Sequence, residues 1–428
     1  MTSQRSTQPV PALEVWLSGH KVGLIQRTGT GLIRFVLHDS WIAQGQRPRL
    51  GLPFLRSSAP RTTGSGLLPA WFENLLPETD SALRERLARL HGVRTSDSLG
   101  LLAVLGQDLP GAVVVKYCAD NESEESRITA AQPAVAEEPL PRRLRFSLAG
   151  MQLKLSMAAS GNRFVLPGRG EQGEHYIVKL PGQEYPDLPD IEAITMQWAR
   201  LAGHDVPTNF AFDTDRIDGL PTDWPLHSPR AYAIRRFDRY PGGIRIHHED
   251  FCQALEAWPQ DKYGDRPPHF TYDKLLLLVA DAAGTAAAQQ FAARLGFVIA
   301  CGNDDAHLKN WSFMWGAAER PALSPCYDLV ATVSWQQFGW NRRPGYHGPR
   351  LALTIGRVSH FSQLDQQALL RHQARSEQPW ARDAIMAGVE RARAAWSSIE
   401  ADAPASMQAA IRQHWKFVPI LREAGGLP

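Results

Sequence analysis

Cysteine is scarce in this chain. Four occur in 428 residues, at Cys118, Cys252, Cys301 and Cys326. None forms a C-x-x-C pair, so neither a zinc site nor a disulfide framework is indicated, and reduced, buried thiols are the plain reading. A charge excess is missing as well. Lys plus Arg number 46 and Asp plus Glu 44, a net charge of +2, which removes any whole-chain argument for a polyanion partner. Long apolar runs are absent. Leu275–Val279 and Phe297–Cys301 fall far short of a membrane span, and the opening MTSQRSTQPVPALEV has no apolar signal-peptide core. The expectation is a cytoplasmic protein with no membrane partner. No internal repeat is visible.

The length suggests two or three domains, at roughly 100–200 residues each. Short strand-like runs at Val15–Leu17, Val22–Leu24 and Leu32–Leu37, a helical stretch at Ser81–Leu90 and a closing run at Val113–Tyr117 mark a small β-rich unit. Residues 119–141, ADNESEESRITAAQPAVAEEPLP, are acidic and rich in Pro and Ala, as a linker or exposed loop would be. Order resumes with strand patterns at Phe146–Met157, Arg163–Leu166, Tyr176–Leu180 and Tyr232–Phe237, and a helix at Ile191–Ala202 stopped by Gly203. From about residue 248 the pattern is helical, over 249–257, 272–280, 285–301, 363–373 and 379–400. A β-rich region followed by a helical one implies two lobes with a cleft between them. The expected division is 1–117, an N-terminal subdomain; 118–142, a linker or loop; 143–240, a β-rich lobe; and 241–428, a helical lobe.

The chemistry concentrates in Gly302-Asn303-Asp304-Asp305-Ala306-His307-Leu308-Lys309-Asn310, a polar loop after an apolar helix, and in Ser324-Pro325-Cys326-Tyr327-Asp328. Phosphoryl transfer needs a group that orients or accepts a hydroxyl proton, and oxygen ligands for Mg²⁺ on the phosphates. An Asp, an Asn five residues on and a later Asp supply that set, in the spacing of protein-kinase catalytic and metal loops. Such clusters also occur in plain turns, where Asn310 would only cap a helix. Lys179 at the end of a strand and Glu192 on the following helix tip the balance, because a kinase cleft requires them in that order.

These segments resemble the HipA-like family of serine/threonine kinase toxins from toxin–antitoxin systems. Ser147-Leu148-Ala149-Gly150-Met151-Gln152-Leu153-Lys154 resembles its phosphate loop, and Tyr176-Ile177-Val178-Lys179 its ATP-lysine strand. Arg235-Arg236-Phe237-Asp238-Arg239 is similar to its lobe-junction segment, and His248-Glu249-Asp250-Phe251 with Lys262-Tyr263 to its E-D…K-Y pair. Asp305-Ala306-His307-Leu308-Lys309-Asn310 and Tyr327-Asp328-Leu329 match its catalytic and metal motifs. Phe72-Glu73-Asn74-Leu75-Leu76-Pro77 resembles its N-terminal region.

The resemblance implies an α+β, two-lobed protein-kinase-like fold using ATP and Mg²⁺. It makes Asp305 the base, Asn310 and Asp328 the metal ligands, and Lys179 the phosphate-neutralising cation backed by Glu192. Backbone groups of Ala149, Gly150 and Gln152 would cradle phosphate, and those of Arg235 and Phe237 would face adenine. His307 shapes the loop or is a satisfied buried histidine; Lys309 meets the γ-phosphate or is a solvated loop lysine. Ser147 would be autophosphorylated. The implied partners are a helix-turn-helix antitoxin, operator DNA reached only through that antitoxin, and a protein substrate such as an aminoacyl-tRNA synthetase. The D-x-x-x-x-N…D pattern also serves small-molecule and lipid kinases, and a non-catalytic co-repressor is a further alternative.

Overall fold

Alternation of apolar and polar residues in the first hundred positions forms an antiparallel sheet in this computed structural model, which describes residues 12–45, 47–64, 66–118, 153–161, 163–165, 173–180, 182, 185–220, 226–335 and 348–424. Ser147, Ala149, Gly150, Gln152 and all of the 118–142 stretch except Cys118 lie outside the described residues. The sheet comprises β1 (Ala12–Leu17), β2 (His20–Arg27), β3 (Ile33–Leu37), β4 (Arg61–Thr63) and β5 (Val113–Tyr117), in the order β4-β3-β2-β1-β5. The period-two side-chain rule puts Ile33, Phe35 and Leu37 of β3 on one buried face. Phe72 meets Phe35 there at 4.6 Å between ring centroids, and Trp71 meets Phe54 at 5.6 Å. Ser81 caps the Ala82–Leu90 helix by accepting from the Arg84 amide. The Arg84 guanidinium is fully buried, and it is tolerated because Glu73, Ser98 and the carbonyls of Pro77 and Thr95 all receive its N–H groups.

The second sheet comprises β6 (Leu153–Ser160), β7 (Arg163–Val165), β8 (His175–Leu180), β9 (Asn209–Asp213), β10 (Ile217–Asp218) and β11 (Arg230–Arg235), in the order β10-β7-β6-β8-β11-β9. Its two faces have different neighbours. Tyr176, Val178 and Leu180 of β8, with Ala231 and Ala233 of β11, join the core of the N-terminal unit. Ile177 of β8, with Tyr232 and Ile234 of β11, joins the core of the helical lobe. Lys179 shares the Ile177 face by the same alternation. One strand thus welds the N-terminal unit to its back and presents an ammonium to the cleft at its front.

The helical lobe is built around Thr285–Cys301 and Ala381–Trp396. Their approach depends on two glycines: a Cβ on Gly296 would sit 2.2 Å from the Ile385 carbonyl, and one on Gly388 would sit 2.1 Å from that of Ala293. Helices also form at Tyr272–Ala283, Gln366–Arg375 and, beyond the sequence-based expectation, Ala405–Phe417. The expected helix over 249–257 is replaced by β12 (His247–Asp250) and a four-residue helix, Phe251–Ala254, with an Asp250/Gln253 capping box. The reason is long-range pairing. β12 lies against β13 (Ser312–Trp315), which in turn pairs with β14 (Ala322–Leu323), and no local pattern announces such partners. A two-stranded ribbon, β15 (Arg350–Ile355) and β16 (Val358–His360), completes this lobe.

Candidate active site

The helix Thr285–Cys301 ends at Gly302, whose φ of 66° is the left-handed C-cap conformation. The loop that follows is held from several directions. Asn303 Oδ1 accepts from the Asp305 amide at 3.0 Å, and Asn310 Nδ2 donates to the Asp305 carbonyl at 2.7 Å. Tyr272 Oη and Trp311 Nε1 both donate to the Ala306 carbonyl, at 2.9 and 3.1 Å. The five-residue spacing of Asp305 and Asn310 therefore closes a fixed loop.

The Asp305 side chain is 52 % exposed. One of its oxygens, Oδ1, accepts a 2.5 Å hydrogen bond from Tyr263 Oη and stands 3.8 Å from His307 Nε2. Burial of the inner part raises the carboxyl above its ordinary range despite the Tyr263 bond and the nearby Lys262 charge. His307 is buried and its affinity for a proton is pushed down to about 3 by desolvation, with Lys262 adding to the effect. It is a neutral imidazole with its ring edge-to-face on Tyr263 at 5.1 Å, and so belongs to the loop's framework.

Asp328 has a φ of 53° and stands beside Lys179. That backbone conformation is uncommon for a non-glycine residue and concentrates at functional sites. Asp328 Oδ2 receives the Lys154 ammonium at 2.9 Å, and Oδ1 is ion-paired to Lys179. Lys179 also pairs with Glu192 of the Leu188–Leu201 helix, and both of these are buried. Burial alone would raise Asp328; Lys154 and Lys179 outweigh it and hold the carboxyl far below the carboxylate range. Burial likewise works against the charged Lys179, and Asp328 and Glu192 more than offset it. Glu192, deeper still, is pushed up by burial while Lys179 pulls it back.

Beside Lys179 and Asp328 is a narrow cleft lined also by Ile177, Ile234, the segment Arg235–Asp238, His248 and Tyr327. Phe237 and Tyr327 face one another at 5.7 Å between centroids with 34° between planes. Ile177 and Ile234 complete an apolar slot that suits a flat ring, beside a floor that carries two ammoniums and a carboxylate. The Arg235 guanidinium turns outward to Glu174 at 2.9 Å. Arg236 and Arg239 run the other way, binding Asp238 and Asp108 in a buried cluster that ties the N-terminal unit to this lobe.

One expected ligand is corrected. Lys309 does not face the cleft as a γ-phosphate group. Its ammonium is buried and donates to Asn74 O at 3.1 Å, Asn74 Oδ1 at 2.9 Å and Asp250 Oδ2 at 2.7 Å, which uses all three N–H bonds. Burial works against its charge, and Asp250 chiefly overrides that. Two groups escaped the sequence reading. Lys154 was visible only as the last letter of a loop motif, yet it is the register partner of Lys179 across β6 and β8. Tyr263 was visible only as half of a K-Y pair. Strand alternation between two lysines would have been the usable signal for Lys154; none existed for Tyr263.

A mixed-sheet lobe and a helical lobe enclosing a cleft, with a strand lysine locked to a helix glutamate and to Asp328 beside it, and with Asp305 and Asn310 on a loop within reach of the Asp328 charge, define a two-lobed protein-kinase-like protein. The closer assignment comes from likeness of sequence. The chain belongs to the HipA family: residues 13–116 match the HipA N-terminal domain and residues 146–396 the HipA-like C-terminal domain. It is 34 % identical to the putative kinase Y4dM of Sinorhizobium fredii, over 97 % of this chain and 98 % of that protein. It is 28 % identical to the serine/threonine-protein kinase toxin HipA of Shewanella oneidensis, over 65 % of this chain and 66 % of that one. In fold it is similar to a chain of the solved Shewanella oneidensis complex of HipA, HipB and operator DNA, with a TM-score of 0.67, 21 % identity and 97 % of each chain covered. Among the described residues no helix is long and apolar enough to cross a membrane.

Proposed function

We propose that the chain is an ATP- and Mg²⁺-dependent serine/threonine protein kinase that acts as the toxin of a toxin–antitoxin pair. The observation that carries this reading is Asp328, ionised and held between Lys154 and Lys179 with Glu192 behind, opposite a half-exposed Asp305 of raised basicity. The first group is built to manage phosphate and metal charge, the second to take a proton from a hydroxyl.

The donors present fit Mg²⁺. Asp328 offers carboxylate oxygens, and Asn310, its amide nitrogen engaged by the Asp305 carbonyl, offers its amide oxygen. Hard oxygen ligands completed by phosphate oxygens are what this ion takes. Bound there, Mg²⁺ would neutralise charge on the transferring phosphoryl group. Lys154 and Lys179 bind the phosphates as fixed cations. Asp305 orients the acceptor hydroxyl and holds its proton at a carboxylate oxygen. The apolar slot beside Arg235–Phe237 takes the adenine.

Ser147, next to the phosphate loop, is proposed as an autophosphorylation site; a phosphate there adds about −1.5 to −2 charges beside those of ATP and disfavours nucleotide binding. The proposed macromolecular partners are a helix-turn-helix antitoxin, operator DNA through that antitoxin, and a translation protein such as an aminoacyl-tRNA synthetase as substrate.

Labelled ATP, the purified chain and a bacterial lysate test the reading directly. Label on protein serine or threonine is the expected result. Label on small molecules would replace it with a small-molecule kinase, and the absence of any transfer with a co-repressor role.

A further inference from the structure

The catalytic loop is braced by the N-terminal unit at two separate points. The first is Asn74. Its segment is anchored by Phe72, Leu75 and Leu76 in the N-terminal core, and Glu73 is fixed by Arg84, Ser98 and the Leu68 amide. Asn74 Nδ2 is committed to the carbonyls of Ala70 and Ala257, both at 2.8 Å. That fixes the amide so that its Oδ1, together with its own carbonyl, receives Lys309 of the catalytic loop. The second is Glu78, whose Oε1 binds Lys262 Nζ at 2.7 Å. The Lys262 carbonyl accepts from the Leu308 amide, again in the catalytic loop, at 3.1 Å. The next residue, Tyr263, donates to Asp305 Oδ1 itself.

We infer that the N-terminal unit is a positioning element for phosphoryl transfer, acting on the Asp305–Asn310 loop through Asn74–Lys309 and through Glu78–Lys262–Tyr263. Tyr263, Lys262 and Glu78 are positioning residues in this scheme; none reaches the nucleotide cleft. The inference rests on the kinase reading. It differs from simple interdomain adhesion because both contacts end on the six-residue segment that carries the base, and one of them continues to the base's own carboxylate. Catalysis is sensitive to displacement on that scale: a shift of about 1 Å in a reacting group costs up to about 10²-fold in rate. The nucleotide-holding groups Lys154, Lys179 and Glu192 stand on β6, β8 and the Leu188–Leu201 helix, apart from both braces. Asn310 also stands on the braced loop, so it is nucleotide affinity measured without Mg²⁺ that is expected to be indifferent to them.

The test uses the full chain with Glu78→Ala, Lys262→Ala, their double variant and Tyr263→Phe. The Glu78 side chain is 24 % exposed, so its truncation opens no core. Transfer from radiolabelled ATP to lysate protein and to the chain itself gives kcat, and titration with a fluorescent ATP analogue in the absence of Mg²⁺ gives nucleotide affinity. The expected result is a fall in kcat of about tenfold or more in each single variant, with nucleotide affinity unchanged. The Glu78→Ala/Lys262→Ala double variant should be no slower than the worse single one, because both break the same brace. Unchanged kcat in Glu78→Ala and Tyr263→Phe overturns the inference while leaving the kinase reading standing. Parallel loss of nucleotide affinity overturns it in favour of a merely structural contact. A faster Tyr263→Phe enzyme overturns it in favour of a phenol that competes with the acceptor hydroxyl. A wild-type chain that transfers no label removes the kinase reading and this inference together.

Discussion

The two ends of the cleft treat a carboxylate in opposite ways. Asp328 is 19 % exposed and touches two ammoniums, so it stays ionised under any ordinary condition. Asp305 is half exposed and touches one neutral phenol, and its proton affinity is raised. Burial works to raise both carboxyls, and only at Asp328 do ammoniums outweigh it. A third carboxylate isolates the cause. Glu249 is buried at the seam between the N-terminal unit and the helical lobe, where it accepts hydrogen bonds from the Leu52 amide, Trp71 Nε1 and Trp315 Nε1 at 2.7, 3.0 and 3.0 Å. Among the described residues it has three donors and no cation, and burial pushes it up to about 7. Cations, then, keep Asp328 charged; hydrogen bonds alone do not suffice. The division suits the proposed chemistry, with one carboxylate that never takes a proton and one that does.

Removing either end breaks this comparison in a distinguishable way. The largest effect is expected from Asp328→Ala. It deletes the proposed metal ligand and leaves the ammoniums of Lys154 and Lys179 without their shared partner. Both Mg²⁺-dependent nucleotide binding and transfer should fall by on the order of 10²-fold or more. Asp305→Ala should lower kcat by about 10²–10⁴-fold while a fluorescent ATP analogue still binds. If Asp305→Ala weakened nucleotide binding as severely as Asp328→Ala, the two ends would not be separate functions.

The local signals in the sequence were good where a single element decides the outcome. Lys179, Glu192, Asp305, Asn310 and Asp328 each stand on or beside an element whose own pattern is plain; the structure joins Lys179, Glu192 and Asp328 in one ion-paired cluster and puts Asp305 and Asn310 on one loop within reach of the Asp328 charge. The strands around residues 12–37 and 175–180 and the helices at 285–301 and 381–396 also announce themselves by periodicity. Long-range partners are what a linear reading cannot weigh. The β12–β13 pairing turned an expected helix into a strand. Asp250 and Asn74, distant in sequence, drew Lys309 away from the nucleotide. Tyr263 acquired its role only by folding back onto Asp305. The shared core of the N-terminal unit and the second sheet was equally hidden, since alternation predicts two faces but not what covers them.

Glu249 offers a test of the electrostatic half of the comparison by stability. Its folded-state pKa of about 7 exceeds the ordinary value of 4.5, so the folded protein holds a proton that the unfolded chain releases. A group raised on folding contributes stability that is complete below about pH 4.5 and is lost as pH rises toward 7. The full swing is on the order of 3 kcal/mol. Glu249→Gln cannot titrate. Thermal melts of both proteins across this range should show the wild type losing ground to Glu249→Gln as pH increases. A constant difference would mean that three N–H donors hold a buried carboxylate ionised without a cation, and the explanation offered for Asp328 would fail with it.

The smallest effect concerns how Asp328 divides its two cations. Lys179 pairs with both Glu192 and Asp328, so it links the helix to the carboxylate proposed to hold Mg²⁺; among the described residues Lys154 pairs with Asp328 alone. Lys179→Met would therefore break two contacts and leave Glu192 buried without its partner, a costly state for a carboxylate. Lys154→Met removes one charge-assisted hydrogen bond, worth about 1.5–3 kcal/mol, and Lys179 remains to keep Asp328 ionised. Nucleotide affinity in Lys154→Met should drop by about tenfold, with the Leu188–Leu201 helix undisturbed and the melting temperature lowered only by the loss of that one bond. Lys179→Met should lose more affinity and melt earlier. Equal losses in the two variants would show that the ammoniums act as one interchangeable pool of charge, and the asymmetry built by Glu192 would then have no functional consequence.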